Sequence, residues 1–176
     1  MIQSLTSIFS KITKSKTYLR PPGAVPEDEF ISRCIKCSKC AQVCSYNSIK
    51  ILHLNAGKDF GTPVIEAKDI PCYLCMECPR ICPSGALDNA LVDKEKVRMG
   101  LAVIDESKCL PFLGVICRSC YDECPIHRVA IVLEDELLPR IDAETCTGCG
   151  ICESVCPAEE IAITIKPLSQ LADKRK

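Results

Sequence analysis

The amino-acid sequence predicts an α+β fold made of two small repeated units. Three observations predict it: sixteen cysteines fall into four groups of four, short strand-like segments lie between the groups, and large aromatic side chains are scarce. With no Trp, four Phe and four Tyr in 176 residues, an ordinary hydrophobic core would be poorly supplied. We therefore expect the cysteines, and what they bind, to fill part of the interior.

The cysteine spacing repeats in one frame. Three groups read CxxCxxCxxxC, and the third group has seven residues instead of two between its first two thiols. This is the spacing with which bacterial ferredoxins hold 4Fe-4S clusters. The predicted ligands are Cys34, Cys37, Cys40 and Cys44; Cys72, Cys75, Cys78 and Cys82; Cys109, Cys117, Cys120 and Cys124; and Cys146, Cys149, Cys152 and Cys156.

Four such groups predict two bacterial-type ferredoxin units with two clusters each. A CxxCxxC loop curls around one cubane, so that three thiolates reach three irons. The fourth cysteine opens a helix that leads away from this loop, and in two-cluster ferredoxins it binds the partner cluster. Clusters therefore come in pairs, and we expect four 4Fe-4S clusters.

Short strands alternate with the cysteine groups. They are predicted at residues 48–54, 62–68, 101–105, 129–134 and 161–165, with a turn at 55–61 between the first two. Two pairings of the groups fit this pattern. In a sequential arrangement group 1 shares a unit with group 2, and group 3 with group 4; in a nested arrangement group 1 pairs with group 4, and group 2 with group 3. The spacing does not choose between them.

Other uses of so many cysteines fit the spacing less well. A disulfide scaffold has no reason to repeat one frame four times. Structural zinc sites use CxxC pairs, often with His, and neither His53 nor His127 sits in a ligand position. A catalytic cluster usually accompanies a much larger substrate domain. We therefore predict an electron-transfer protein that is not itself an enzyme, with a structural zinc-binding adaptor as the alternative.

Charge and hydropathy exclude several classes of partner. The formal charge of −1 gives no field that favours nucleic acid. No apolar run reaches the roughly 18 to 20 residues that cross a bilayer. We also expect no cleavable secretion signal and no twin-arginine pair, since Arg20 stands alone before Pro21 and Pro22.

The N-terminus has an amphipathic pattern. Apolar residues recur at helical spacing and lysines follow them, before a Pro-rich stretch at 21–26. We therefore divide the chain into a docking segment with a linker, residues 1–26, and a double ferredoxin body, residues 27–176. Residues 1–18 would contact a membrane surface or a partner, or else pack back on the body. The apolar residues are Ile2, Leu5, Ile8, Phe9 and Ile12.

The insertion in the third group, residues 110–116, is strongly apolar. It is either a lid that keeps water off the third cluster or a patch for a partner, and the lid is the conservative interpretation. It also moves Cys109 away from the usual frame. Tyr46, Tyr73 and Tyr121 lie within two residues of a predicted ligand, where we expect them to pack against a cluster.

The residues around these groups resemble a known family. They are residues 19–30 (LRPPGAVPEDEF), 61–63 (GTP), 69–75 (DIPCYLC) and 82–87 (CPSGAL). With the four cysteine groups they resemble NapG-type ferredoxins, the four-cluster subunits associated with periplasmic nitrate reductase, and their MauN-type relatives. A more distant resemblance is to the four-cluster electron-transfer subunits of molybdoenzymes, whose clusters pair in the nested way. That resemblance favours nesting here.

The resemblance also implies partners. NapG-like proteins pass electrons from a quinol-oxidising, NapH-like membrane protein toward a second redox protein or enzyme. Family members usually carry a twin-arginine export signal, whereas residues 1–18 have the amphipathic pattern instead. We therefore expect a cytoplasmic protein peripheral to the inner membrane, with a periplasmic location as the alternative.

Overall fold

A computed structural model describes residues 17–172. Most of the predicted amphipathic segment, residues 1–16, and the last four residues lie outside this range. Within it, short helices and short strands alternate, and each strand pairs with one other strand. No helix of the described residues is long and apolar enough to cross a membrane.

The first unit contains cysteine groups 1 and 2. Its elements are α1 (Glu27–Arg33), α2 (Lys39–Gln42), β1 (Ile49–Ile51), a 3-10 helix (Leu54–Asp59), β2 (Pro63–Ile65) and α3 (Glu77–Ile81). Strands β1 and β2 form an antiparallel hairpin in which Lys50 lies opposite Val64. Helices α2 and α3 are short because each begins inside a cysteine loop and ends as the chain turns to deliver the group's last cysteine, whereas α1 ends just before Cys34.

The second unit contains groups 3 and 4. Its elements are β3 (Gly100–Ile104), a 3-10 helix (Leu110–Leu113), α4 (Ser119–Asp122), β4 (Ile131–Glu134), β5 (Leu138–Ile141), α5 (Ile151–Ser154) and β6 (Ile163–Pro167). β3 pairs with β6, and β4 pairs with β5, both antiparallel. A 3-10 helix (Lys94–Lys96) precedes this unit, and α6 (Leu168–Ala172) follows it.

These strand pairs make the pairing of the cysteine groups sequential. The β1–β2 hairpin joins groups 1 and 2, and the β4–β5 hairpin joins groups 3 and 4. Strand β3, before group 3, pairs with β6, after group 4, and so closes the second unit. The cysteines follow the same pairing, since Cys82 lines a cavity with Cys34, Cys37 and Cys40, and Cys124 lines one with Cys146, Cys149 and Cys152. The nested arrangement that the more distant resemblance favoured is therefore wrong.

All five predicted strands exist: β1, β2 and β4 are shorter than predicted, β3 and β6 have the predicted length but are shifted by one and two residues, and β5 was missed. Pro139, which has no backbone N–H, lies in the middle of β5 opposite Leu133. The turn before β5 places Asp135 and Glu136 at φ of 48° and 65°. Turns of this conformation usually carry Gly or Asn, so the acidic residues gave no hairpin signal.

Part of the expected linker is packed into the body. Leu19 and Arg20 are buried, and Pro21 and Pro22 are fully buried. The carbonyl of Leu19 accepts a hydrogen bond from the N–H of Ile65 at 2.8 Å, which adds this segment to the edge of β2. The folded body therefore begins well before residue 26.

Arg20 anchors this segment through a buried polar network. Its guanidinium donates to both carboxylate oxygens of Glu27, to Thr62 Oγ1 at 2.8 Å and to the carbonyl of Pro63 at 3.0 Å. Asp59 Oδ1 lies 3.6 Å from Arg20 Nη2 and has no hydrogen-bond partner of its own. The charge of Arg20 therefore compensates a buried carboxylate that hydrogen bonds leave unsatisfied.

The two units share a packed junction. The N–H of Cys72 donates to the carbonyl of Cys149 at 2.9 Å, and the N–H of Met99 donates to the carbonyl of Thr147 at 2.9 Å. Cys149 and Ile151 of the second unit belong to the same buried cluster as the core of the first. The side chain of Ile165 packs against both cores. The junction therefore involves group 2 on one side and group 4 on the other.

Candidate iron-sulfur sites

The cysteine loops have a common backbone conformation in three of the four groups. The two residues that flank the middle cysteine have positive φ: Lys36 and Ser38 in group 1, Leu74 and Met76 in group 2, and Gly148 and Gly150 in group 4. Left-handed residues at these two positions turn the chain around a central point, so that the three thiols point inward. Only group 4 uses glycine there.

Close backbone contacts are the reason for glycine in group 4: Gly148 packs against β3 of its own unit, and Gly150 packs against the first unit at the junction. A Cβ atom on Gly148 would lie 2.4 Å from the backbone nitrogen of Gly100, and one on Gly150 would lie 2.2 Å from the Cβ of Ala67. Groups 1 and 2 show that non-glycine residues tolerate the conformation itself. Sequence reasoning missed this contact, although glycine at both positions of one group alone was its signal.

Site I combines group 1 with the last cysteine of group 2. Cys34, Cys37, Cys40 and Cys82 line one cavity together with Pro63, Pro83 and Leu87. Burial, and then the charges of Cys34, Cys37 and Cys82, raise the pKa of the Cys40 thiol to about 11. The four sulfurs therefore face a common space.

Site II is the reciprocal quartet of Cys44, Cys72, Cys75 and Cys78. Burial is the main cause that raises the pKa of Cys78, followed by the charges of Cys72 and Cys75 and then of Cys40 and Cys44. Burial also raises the pKa of Cys72 to about 12. Sites I and II are thus adjacent, and each takes one thiol from the other group's chain segment.

Sites III and IV repeat this exchange in the second unit. At site III, Cys124, Cys146, Cys149 and Cys152 line a cavity with Ala102, Ala130 and Ile131. At site IV, Cys109, Cys117, Cys120 and Cys156 line another with Ile104, Ile163 and Pro157. The insertion does not displace Cys109, since it faces the same space as the other three cysteines of its site.

The quartets suit a cubane better than a single metal ion. Thiolates around one zinc ion lie about 2.3 Å from it and converge on a point. Here the four thiols line the wall of a cavity at sites I, III and IV, with apolar side chains between them. A 4Fe-4S cluster presents four separate irons at its corners and needs ligands spread in this way.

Burial makes these thiols poor ligands until iron neutralises them. Without metal, burial raises the pKa of Cys120 to about 11, and it raises the pKa of Cys152 well above the ordinary value. Metal binding therefore has to displace protons from thiols that would otherwise stay neutral, and the binding free energy becomes folding free energy. Such interiors are stable only when they are loaded.

Backbone N–H groups point at the crossing cysteines of the two outer sites. The N–H of Leu87 donates to Cys82 Sγ at 3.5 Å, and that of Ala162 donates to Cys156 Sγ at 3.5 Å. Burial alone would raise the pKa of Cys82, but hydrogen bonds from Leu87, Ser84 and Ala86 outweigh it and lower the pKa. Such bonds stabilise negative charge on sulfur and tune a cluster's potential.

Neighbouring cysteines connect the four sites into a row in the order I, II, III, IV: besides burial, the larger cause, the charge of Cys40 at site I raises the pKa of Cys78 at site II, and that of Cys120 at site IV raises the pKa of Cys152 at site III. Site II meets site III across the junction, where the charge of Cys149 raises the pKa of Cys72 after burial itself. Three cysteines of site III and two of site II are buried, whereas no cysteine of site I or IV is. The outer sites therefore lie nearer the surface than the inner ones.

The insertion at site IV divides into a lid and an exposed part. Leu110 and Pro111 line the cavity. Leu113, Val115 and Ile116 face solvent, and Ile116 is 79% exposed. Leu110 and Pro111 therefore fit the lid interpretation, and a patch for a partner stays a prediction for the exposed half of the segment.

The aromatic and histidine side chains near the sites contact one another or lie at the surface. Tyr46 and Tyr73 stack on each other with ring centroids 4.5 Å apart, beside three of the cysteines of site II. Tyr121 meets the ring of His127 at 6.2 Å, edge to face. His53 and His127 are exposed, as expected for surface side chains.

Comparison with protein families supports this grouping. A 4Fe-4S dicluster domain matches residues 33–86, which hold groups 1 and 2, and a 4Fe-4S binding domain matches residues 137–158, which hold group 4. The dicluster match covers the first unit as one piece, in agreement with sequential pairing.

Similar proteins cover most of the chain. The ferredoxin-type protein NapG of Escherichia coli is 45% identical over 164 residues, which span 86% of this chain and 71% of that protein. The methylamine utilization ferredoxin-type protein MauM of Methylorubrum extorquens is 35% identical over 175 residues, or 93% and 80%. The ferredoxin-type protein NapF of Escherichia coli is 29% identical over 152 residues, or 84% and 85%.

Proposed function

Since the chain belongs to the family of NapG- and MauM-type ferredoxin proteins, we propose that it carries four 4Fe-4S clusters, one at each of sites I to IV, and conducts single electrons along the row. All sixteen cysteines would be ligands. One observation carries the proposal: three thiol quartets each line a cavity, and a hydrogen bond from the N–H of Cys72 to the carbonyl of Cys149 joins the two units between them. A ferredoxin-type protein with such a row can receive an electron at one end and deliver it at the other.

Differences in burial would give the four clusters different reduction potentials. Reducing a cluster adds negative charge, which a buried site solvates less well, and hydrogen bonds to sulfur offset that cost. Burial should therefore give the clusters at sites II and III lower reduction potentials than those at the more exposed sites I and IV. The outer sites, with N–H groups aimed at Cys82 and Cys156, have surroundings that favour the reduced state more.

For the partners we propose an integral membrane subunit that is NapH-like and linked to quinol or quinone, and a second redox protein. A cytoplasmic position against the inner membrane, held through residues 1–18, is part of this proposal, and the periplasm is its alternative. Fractionation of membranes with and without residues 1–18 tests the segment. If the truncated protein stays in the membrane fraction to the same extent, the segment has no docking role.

Metal analysis tests the clusters. Anaerobic purification should give a brown protein with about 16 iron and as much labile sulfide per chain, and reduction with dithionite should produce interacting EPR signals. Stoichiometric zinc without an EPR signal would instead support the structural adaptor, whose metal is redox-silent.

Paired substitutions test which cysteines share a cluster. Cys37 and Cys82 belong to one site, so the double variant C37A/C82A should lose one cluster, about four of the 16 iron. Cys37 and Cys156 belong to different sites, so C37A/C156A should lose two, about eight iron. A nested arrangement would reverse these two results, because group 1 would then share a cluster with Cys156.

A further inference from the structure

We propose that the surface around site I is a docking surface for the acidic face of a separate redox protein. This inference rests on the proposed function, because it names the chemistry of a partner that receives or supplies electrons at one end of the row. The juxtaposition that carries it is a pair of lysines, with no carboxylate partner among residues 17–172, on the wall of the cysteine quartet in which Cys37 is exposed.

The lysines are built into the cysteine loop itself. Lys36 and Lys39 alternate with Cys37 and Cys40 and help to line the cavity of site I. Both side chains are exposed, and Cys37 between them is the most accessible cysteine of this site. Within residues 17–172, no carboxylate lies within ion-pair distance of either lysine.

Lys36 is held in place rather than free. Its aliphatic stem packs over Gly61, where an added Cβ atom would approach Lys36 Cδ to 3.1 Å. Its ammonium lies 5.9 Å from the centre of the Phe60 ring. The positive φ of Lys36 fixes the direction in which the side chain leaves the loop. A positive charge is thus presented at a constant position beside site I.

The surroundings extend this positive field. Residues 30–58 contain five basic residues and no Asp or Glu. Arg33, at the end of α1, pairs with Glu29 and also reaches the carbonyl of Gly85, beside Cys82's loop. Lys50 pairs with Glu66 and Asp69, so among the described residues the unpaired positive charge of this stretch comes from Lys36, Lys39 and Lys58.

An apolar residue lies at the centre of the rim. Ile35 stands between Cys34 and Cys37 and is 64% exposed. A small apolar centre surrounded by charged residues is the usual anatomy of a protein–protein interface, and the charges select the partner and steer the encounter. Basic residues here select a partner whose own redox centre is surrounded by Asp and Glu.

The opposite end of the row has a different chemistry, so the two ends fit different partners. Residues 17–99 contain eleven basic and ten acidic residues, whereas residues 100–167 contain five basic and twelve acidic residues, a formal charge of −7. The wall of site IV contains no basic residue, and the side chains of Leu113, Val115 and Ile116 stand exposed near it. For electron transfer a second copy would have to bring its own site IV to the lysines, and the wall of that site contains no Asp or Glu. A separate protein with carboxylates around its redox centre is therefore the better fit, although residues 100–167 are acidic elsewhere.

Electron transfer to two probe proteins of opposite charge tests the surface. The holoprotein, reduced with dithionite, is mixed anaerobically with oxidised plastocyanin, an acidic copper protein, or with oxidised cytochrome c, a basic haem protein. The variants are K36E/K39E, the milder K36Q/K39Q, and K94E, a control on an exposed residue of the 3-10 helix Lys94–Lys96 whose change in charge equals that of K36Q/K39Q. Iron content and EPR spectra establish that each variant is loaded.

We expect the second-order rate constant with plastocyanin to fall about tenfold in K36E/K39E at low salt, and less in K36Q/K39Q. Raising the ionic strength should shrink the difference, since the Debye length is about 10 Å at 0.1 M salt. K94E should change the plastocyanin rate little, and the rate with cytochrome c should not fall in K36E/K39E.

Other results overturn the assignment. If K36E/K39E and K94E react alike with plastocyanin, the basic rim does not guide partners. If the wild type sediments at low salt as an assembly of several copies and K36E/K39E does not, the surface belongs to a second copy. Binding to phosphatidylglycerol vesicles that depends on the same lysines would assign it to a membrane. A protein that dithionite fails to reduce would instead refute the proposed function itself.

Discussion

The contact between Gly150 and Ala67 predicts how much the junction contributes to stability. An alanine at position 150 would meet two separate costs. Its φ of +87° is left-handed, which costs a non-glycine residue about 1–2 kcal/mol. Its Cβ would also lie 2.2 Å from the Cβ of Ala67 and 3.3 Å from its Cα, so the two units would have to move apart. Overpacking of this kind costs about 1–3 kcal/mol.

Gly114 provides the matched control. It has a φ of +82°, and a Cβ added there meets nothing within 4 Å. Gly114→Ala should therefore show the backbone cost alone, about 1–2 kcal/mol, whereas Gly150→Ala should lose about 2–5 kcal/mol in total. The double variant A67G/G150A removes the opposing methyl group and should recover most of the packing cost, which is a coupling between residues in contact.

The rate at which each variant loses its brown absorbance in guanidinium, followed anaerobically, measures these differences in stability. If opening of the junction precedes cluster loss, a packing cost of about 1–3 kcal/mol shortens the half-life about 5- to 150-fold relative to G114A. Equal half-lives for G150A and G114A would refute the argument. Failure of A67G to slow cluster loss in the G150A background would show that the clash lies elsewhere.

Two further changes test the anchored N-terminal segment and the lid. Arg20→Met leaves Asp59 as an unpaired buried charge and should lower the free energy of unfolding in guanidinium by about 3–5 kcal/mol. The double variant R20M/D59N should regain part of that stability. A loss of under about 1 kcal/mol in R20M would mean that Arg20 does not compensate Asp59. Leu110→Ser admits water to site IV and should raise one cluster potential in an EPR-monitored titration, whereas Ile116→Ser, on the exposed half of the insertion, should leave all four potentials unchanged. Equal potentials in the two variants would show that Leu110 is no lid.

The local cysteine spacing predicts three ligands of each site, but it does not predict which group supplies the fourth. Three thiols of each site come from one short loop, so the CxxCxxC frame is enough to find them. The fourth comes from another group, and which group depends on the hairpins between them. The β4–β5 hairpin was invisible because proline, as at Pro139, is rare inside strands and because Glu136 follows Asp135 where a hairpin turn usually has glycine. The more distant resemblance then favoured the wrong pairing.

Arg20 shows a second limit of sequence reasoning. A Pro-rich stretch with one arginine has the composition of an exposed linker, and nothing local indicates otherwise. Its burial depends on Asp59 and Thr62, about 40 residues away in the chain, which accept or balance its charge. Such contacts follow from the tertiary fold alone, so the boundary at residue 26 could not be corrected without the structure.

The position of each cysteine group in the row explains how much its sequence can vary. Group 4 supplies three thiols to site III at the junction, and its loop has the strict frame and the glycines that the close approach to Ala67 requires. Group 3 supplies three thiols to site IV at the outer end, where its additional residues extend into solvent and meet no second unit. Insertions are tolerated at surfaces and excluded where backbones pack together. An additional loop in group 2 or 4 would separate sites II and III, whereas the one in group 3 leaves the row continuous.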